Sequence, residues 1–251
     1  MKKTTLITLM MFLCFNVISS SAGSEDKITE INFASEEWEE ATNTDGTGLY
    51  WDIFRAVYEP CGIKVNFIIR SYSGSVELLK RQKTDAVVAA YLDEIEGALF
   101  PKWYFGVDIV QALFKKDKPI VWKGQETLKD KKVAWIKGYA YDEYLDVPVI
   151  KMEFDERKDA LRVLDKDRID FFLDARGDLL TALEDGYVDK TKYRTETVKQ
   201  LYLYLAFVNS ERGKRLKQIF DERLPQLIKS GEIKRIYDKW AKGNFVYPFL
   251  E

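Results

Sequence analysis

Short apolar runs alternate with amphipathic stretches along the first third of the chain. Residues Lys64–Ile69 and Ala86–Ala90 are β-branched or continuously apolar, which is typical of buried strands, and Ile28–Phe33 predicts a first strand. Between them, Leu49–Tyr58 carries its apolar residues at helical spacing, and Ser75–Lys80 predicts a second, shorter helix. This β-α-β-α-β order favours a parallel sheet with helices on its faces.

The same alternation starts again in the second part of the chain. Two α/β units followed by a helical tail predict two lobes rather than one sheet. The predicted strands are Val107–Lys115, Lys132–Ile136, Val149–Phe154, Ile169–Leu173 and Tyr202–Val208, and the predicted helices are Tyr141–Leu145, Arg157–Leu164, Gly177–Leu183, Glu211–Lys229 and Ile233–Trp240.

The first 22 residues have the three parts of a secretory signal peptide. Lys2 and Lys3 form a positive start, an apolar run covers Leu6–Ile18, and small residues follow up to Ala22, after which we predict cleavage. The alternative, a membrane anchor, needs about 20 apolar residues, more than this run supplies. Cys14 lies within the apolar run and after large residues, so a lipoprotein signal is rejected.

Charge and residue content exclude several function classes. Removal of Lys2 and Lys3 leaves 37 basic residues against 41 acidic ones, a net charge of −4, and no basic stripe points to nucleic acid. Cys61 would be the one cysteine of the mature chain, so no intramolecular disulfide forms. The chain has no histidine, which excludes histidine-based nucleophile systems and histidine metal sites and argues against catalysis.

Six short motifs in order resemble the bacterial type 2 periplasmic solute-binding proteins, in particular the family 3 proteins that serve polar amino-acid ABC transporters. The resemblance covers Ile28 to about Trp240. Its motifs are Gly48–Ile53, Leu78–Ala86, Phe100–Tyr104, Leu128–Ala134, Leu164–Asp170 and Ser230–Trp240.

This resemblance implies an α/β fold of two lobes joined by two crossing hinge strands, closing on a ligand like a Venus flytrap. Lobe 1 would comprise residues 28–107 and 209–251, and lobe 2 residues 108–208. The implied function is capture of a small polar ligand in the periplasm for an inner-membrane ABC permease. The implied protein is a monomer with no metal, no cofactor and no nucleic-acid partner, and it is not an enzyme.

The residues that hold an amino-acid ligand in such relatives are missing here. The relatives place an arginine about five residues before the Phe-Ser-x-Pro-Tyr motif, and its guanidinium forks onto the ligand carboxylate. The matching stretch, Tyr91–Phe100, has no arginine and three carboxylates. The Gly-Thr/Ser segment of the second lobe is replaced by Gly138–Tyr141. The amine-binding aspartate is matched by Asp174 only with a one-residue slip, which turns a strand side chain to the other face unless a bulge intervenes.

Aromatic and acidic side chains take the place of the missing clamp in the predicted cleft. Rings with carboxylates nearby suit a cation, or a flat or sugar-like ligand that stacks. Each tyrosine has the alternative of being a core or rim residue, and each arginine that of a surface ion pair. The candidate ligand-binding residues are Trp38, Tyr72, Tyr91, Asp93, Tyr139, Tyr141, Asp174, Arg70 and Arg176.

Two other functions stay open at this point. A sensory or partner-docking protein would keep the fold and lose small-molecule transport. A dehydratase-like enzyme on the same scaffold would need an arginine for the substrate carboxylate, which the matching position lacks.

Overall fold

The computed structural model describes residues 27–240 and 245–249, so the predicted signal peptide, with Lys2, Lys3 and Cys14, lies outside the described residues. The first half of the chain forms alternating strands and helices, as its pattern predicts. These elements are β1 (Glu30–Ser35), α1 (Leu49–Tyr58), β2 (Lys64–Ile69), α2 (Tyr72–Lys80) and β3 (Ala86–Ala90). Helix α2 begins earlier than predicted because Ser71 caps it, its Oγ accepting a hydrogen bond from Gly74 N at 3.3 Å.

The second half repeats the alternation and ends in two helices. Its elements are β4 (Gly106–Lys115), β5 (Lys132–Ile136), β6 (Ile150–Phe154), α3 (Arg157–Asp165), β7 (Phe171–Ala175), α4 (Arg176–Glu184), β8 (Tyr193–Phe207), α5 (Glu211–Lys229) and α6 (Glu232–Lys239). The predicted helix Tyr141–Leu145 is instead a single 3₁₀ turn, Tyr141–Glu143. No helix of residues 27–240 has both the length and the apolarity to cross a bilayer.

The eight strands form one curled sheet in the order β2-β1-β3-β8-β4-β7-β5-β6. Strand β1 runs parallel to β2 and β3, and β5 runs parallel to β6 and β7. Between these parallel triplets, β8 pairs antiparallel with both β3 and β4. The molecule therefore has two parallel halves, as predicted, but the long strand β8 joins them into a single sheet.

Strand β8 is 15 residues long, and only its last part was predicted. Its first residues are mostly polar and half-buried, so no apolar run marks them in the sequence. They are extended because they pair with β4, from Lys115 opposite Tyr193 to Gly106 opposite Leu203. The strand is thus held by tertiary pairing rather than by its own pattern.

Large buried rings hold helix α1 against the first half of the sheet. Phe33 of β1 stacks on Phe54 of α1 with ring centroids 4.9 Å apart, and Tyr58 donates a hydrogen bond to Leu216 O of α5 at 3.1 Å. The second half has its own aromatic centre, where Phe114 of β4 meets Phe171 of β7 edge to face. Each half of the sheet therefore has its own packed aromatic core. A cleft can form at the boundary between the two halves.

Candidate functional site

A cavity of about 260 Å³ lies where the two halves of the sheet meet. Its floor comes from β4 and β8, and its walls come from segments that follow strands of both halves. The lining residues are Trp38, Glu39, Glu40, Ala41, Tyr50, Tyr72, Ala89, Tyr91, Glu94, Val107, Asp108, Ile109, Tyr139, Ala175, Arg176, Gly177, Asp178, Leu180, Thr181, Leu203, Phe245 and Val246. The walls collect at this edge because the carboxyl ends of parallel strands leave backbone and side chains pointing into the crevice.

A closed loop after β1 holds Trp38 in the cavity wall. Thr42 Oγ1 accepts a hydrogen bond from Trp38 N at 3.1 Å and donates one to Glu36 O at 2.7 Å. Gly48 ends the loop with a φ of 132°, and a Cβ there would lie 2.3 Å from Ala41 O, so only glycine fits. The loop is therefore fixed at both ends.

Aromatic rings join the two sides of the cavity. Trp38 and Tyr72, from the first half, have ring centroids 6.5 Å apart, and Tyr72 meets Tyr139 of the second half edge to face at 6.1 Å. Trp38 Nε1 also donates a hydrogen bond to the Tyr139 hydroxyl at 3.4 Å. Farther out, the Thr181 hydroxyl donates to Glu39 at 3.1 Å. The two halves are thus in direct contact across the cleft.

Tyr91 lies between two carboxylates that both line the cavity. Its backbone N–H donates to Glu94 Oε2 at 2.7 Å, and its hydroxyl donates to Asp108 Oδ2 at 3.0 Å. The Tyr72 hydroxyl donates to the same Glu94 oxygen at 2.7 Å. Burial raises the pKa of Glu94 to about 7 and that of Asp108 to about 6, because no cation lies against either group among the described residues. Burial therefore favours the neutral form of both carboxyls, more strongly in Glu94 than in Asp108.

A second group of carboxylates surrounds Arg157, the first residue of α3. Its guanidinium contacts Asp174 at 2.8 Å and Asp178 at 2.9 Å, and it donates to the Tyr139 hydroxyl at 2.9 Å. Burial opposes the charge on Arg157, but the attraction of Asp174 and Asp178 outweighs it, so the pKa of Arg157 is raised. The arginine is a permanent cation just behind the cavity wall.

The structure brings five of the predicted site residues together in the cavity wall: Trp38, Tyr72, Tyr91, Tyr139 and Arg176. Arg176 is exposed, and its side chain has no hydrogen bond or ion pair within residues 27–240 and 245–249. It lines the cavity, and its role as a ligand-binding residue stays a prediction.

Four predicted site residues lie outside the cavity wall. Tyr141 is buried behind Tyr91 and Tyr139 and packs against both rings. Asp174 is fully buried and pairs with Arg157, while its neighbour Ala175 lines the cavity. Asp93 is exposed in a turn with a φ of 61°. Arg70 is also exposed and donates to the carbonyl of Ile69 at 2.9 Å.

Several lining residues were not identified from the sequence. Asp108 is a single acid inside the apolar strand β4, a signal that would have revealed it. Glu94 belongs to the acidic stretch that lacks the arginine, where only the tertiary structure distinguishes it from Asp93. Phe245 and Val246 belong to the C-terminal segment, whose approach to the cavity nothing in the sequence indicates.

The cavity wall has far more negative than positive groups. Among the described residues, the charged side chains of the lining are the acids Glu39, Glu40, Glu94, Asp108 and Asp178 and one base, Arg176. The acids do not converge as metal ligands: no cluster of histidine, cysteine, aspartate or glutamate in the described part of the chain is arranged to hold a metal ion. An organic cation, which rings can also contact, suits this lining better.

Comparison with protein families gives one match. The model for "Bacterial extracellular solute-binding proteins, family 3" matches residues 28–243. A comparison with curated proteins finds no match.

Solved structures share the fold at low sequence identity. The substrate-binding protein of an amino acid ABC transporter is 18% identical, with 85% of this chain and 99% of that chain covered and a TM-score of 0.66. A histidine kinase sensor domain similar to periplasmic binding proteins is 19% identical, with 89% and 100% covered and a TM-score of 0.70. An ancestral amino acid-binding protein described as a precursor of cyclohexadienyl dehydratase is 21% identical, with 84% and 95% covered and a TM-score of 0.62.

Proposed function

Because this chain belongs to the bacterial extracellular solute-binding proteins of family 3, we propose that it captures a small cationic solute in the cavity between the two halves of its sheet. The family resemblance of the six sequence motifs is confirmed, and so is the two-lobed α/β architecture. The lining of the cavity is the observation that supports a cationic ligand. Its described residues include aromatic rings and five acids but only one base, the exposed Arg176. A cation gains both ring and carboxylate contacts there.

The cavity supports a small ligand better than a large one. Its volume of about 260 Å³ is near the lower end of ligand pockets, which run from about 300 to 1,000 Å³. Among the described wall residues only Arg176 could pair with an α-carboxylate, and the five acids of the same wall would repel it. We therefore set aside an amino acid held by its carboxylate, although one structural relative is the substrate-binding protein of an amino acid ABC transporter.

We further propose that the protein works in the periplasm and delivers its ligand to an inner-membrane ABC permease. One structural relative is named as the substrate-binding protein of an amino acid ABC transporter, which supports this role. Lobe 1 would comprise residues 28–107 and 209–251, lobe 2 residues 108–208, and β4 with β8 would act as the hinge. Closure of the lobes would then signal the bound state.

A sensory role is the second candidate. The relative with a TM-score of 0.70 is a histidine kinase sensor domain. The observation that favours this role is the direct contact across the cleft, through Trp38 with Tyr139 and through Glu39 with Thr181. Contacts of this kind stabilise a closed form whose outer surface a partner could recognise. A dehydratase activity has weaker support, because no arginine for a substrate carboxylate lies among the buried cavity residues.

A thermal-shift screen of the mature chain tests the proposal. The set should contain amines, basic and acidic amino acids, sugars and organic anions. A ligand at a hundred times its Kd adds about 2.7 kcal/mol to the free energy of unfolding, a large shift in Tm. We expect amines to produce it. A strong shift with glutamate or a sugar, and none with any amine, would refute a cationic ligand.

A further inference from the structure

The two carboxylates beside Tyr91 each have one oxygen available to a ligand. Oε2 of Glu94 accepts the hydrogen bonds from the Tyr72 hydroxyl and the Tyr91 backbone N–H. Oδ2 of Asp108 accepts the hydrogen bond from the Tyr91 hydroxyl. The other oxygen of each has no partner in residues 27–240 and 245–249, and neither is among the buried atoms left without one. Both residues line the cavity, so a ligand there can reach a carboxylate group of each.

Glu94 and Asp108 accept hydrogen bonds from opposite ends of Tyr91. The backbone N–H of Tyr91 donates to Glu94, and its hydroxyl donates to Asp108. Ordinary bond lengths place the two ends of a tyrosine on the order of 7 Å apart. The two carboxylates are therefore held at separate donors, one at each end of Tyr91, and the rings of Tyr72 and Tyr91 line the same cavity.

The buried acids on the other side of the cavity already have a cation. Arg157 lies against both Asp174 and Asp178, so its single positive charge offsets part of theirs. Glu94 and Asp108 are bonded only to tyrosine hydroxyls and a backbone N–H, none of which carries charge. Glu94 and Asp108 are thus the cavity acids that share a tyrosine and have no cation against them in the described part of the chain.

Resting on the proposed function, we propose that the ligand is a short linear diamine, with one ammonium group on Glu94 and the other on Asp108. Its methylene chain lies along Tyr91 and against Tyr72, where rings attract the flanking cations. A diamine balances both carboxylates, whereas a monoamine leaves one of them buried without a countercharge, which is costly. The cavity volume of about 260 Å³ suits a molecule of this size.

Isothermal titration of the mature chain with a matched set of ligands tests the proposal without any substitution. Putrescine has two ammonium groups on a four-carbon chain, butylamine has one, and ornithine adds a carboxylate to the putrescine skeleton. We expect putrescine or cadaverine to bind at least about tenfold more tightly than butylamine, the equivalent of one lost charge pair. We expect ornithine to bind more weakly than putrescine.

Substitutions then locate the two ammonium groups. Glu94→Gln and Asp108→Asn should each weaken putrescine binding at least about tenfold and bring the ratio of the butylamine and putrescine Kd values close to one. Glu96→Gln is the matched control, since Glu96 is an exposed acid of the same stretch, and it should leave both affinities unchanged.

The outcomes separate this inference from the proposed function. Equal affinity for butylamine and putrescine, or tighter binding of ornithine, overturns the diamine and leaves the capture of cations standing. Binding of a neutral or anionic solute with no response to any amine overturns both. A preference for putrescine that survives in both Glu94→Gln and Asp108→Asn would overturn the assignment of the ammonium groups.

Discussion

Two carboxylate pairs, one in the cavity wall and one partly behind it, differ in how their charge is balanced. Asp174 and Asp178 flank the guanidinium of Arg157, while Glu94 and Asp108 receive only neutral donors from Tyr72 and Tyr91. Asp174 is buried and the other three carboxylates are half-buried, and an unpaired charge is costly once it is removed from water. The first pair shares one cation from within the fold, and we call it the complete pair. The second is incomplete, and an incomplete buried pair is the kind of feature that binding sites retain and that stable cores avoid.

The largest expected effect comes from removing the cation of the complete pair. Arg157→Leu leaves Asp174 and Asp178 buried without a countercharge, and we expect a loss of about 3–5 kcal/mol in the free energy of unfolding at pH 8. Burial raises the pKa of both aspartates, so they protonate more readily and the loss should be smaller at pH 5. Urea unfolding at the two pH values measures this.

Arg162→Leu is the control for that substitution. Arg162 pairs with Asp159 on the exposed face of α3, at 3.3 Å, and such pairs contribute little. We expect its loss to stay within about 0.5 kcal/mol at either pH. If Arg157→Leu were as mild as this control, the pair with Asp174 and Asp178 would not be a buried charge pair.

Glu94, of the incomplete pair, should make the unsubstituted protein less stable as pH rises. The pKa of Glu94 is raised to about 7 in the folded protein and returns to its ordinary value of 4.5 on unfolding, so the folded state holds the proton more tightly. Its contribution to stability is therefore present at acidic pH and lost as pH rises through 7. We expect ionised Glu94 to cost about 1–3 kcal/mol at pH 8 relative to pH 5. Glu94→Gln should remove this part of the pH dependence.

Chemical unfolding of both proteins from pH 5 to pH 8 gives the measurement. The difference in unfolding free energy between Glu94→Gln and the unsubstituted chain should change in favour of the variant as pH rises. A difference that is constant across this range would mean that Glu94 titrates alike in the folded and unfolded states. The same ionisation should strengthen cation binding as pH rises through the pKa of Asp108, about 6, and that of Glu94.

The smallest expected effect concerns the aromatic contact between the halves. Trp38→Ala removes a ring from the cavity wall and a hydrogen bond to Tyr139, so the affinity for a cationic ligand should fall about five- to tenfold. Trp122→Ala is a control at a tryptophan outside the lining, and its affinity should not change. Fluorescence or calorimetric titration compares the two, and unchanged affinity in Trp38→Ala would remove Trp38 from the site.

Much of the fold follows from local pattern. Helices α1 and α5 and strands β2, β3 and β5 begin and end where the apolar spacing predicts, because each buries one face or both faces through its own residues. The rings that gather at the cavity are also readable, since Trp38, Tyr72, Tyr91 and Tyr139 each follow closely after a parallel strand. Strand ends of this kind meet at one edge of the sheet whatever their distance along the chain.

The charge balance of the cavity depended on tertiary structure alone. The first part of β8 is polar, and it is extended only because it pairs with β4. Asp93 and Glu94 are adjacent acids in the turn after β3, and only Glu94 lines the cavity. Arg157 follows β6 as the rings follow their strands, yet its partner Asp174 is 17 residues away along the chain. Distances of a few ångströms between separate elements decide whether a charged side chain has a countercharge within the fold or needs one from a ligand. Those distances cannot be read from composition or from the spacing of residues along the chain.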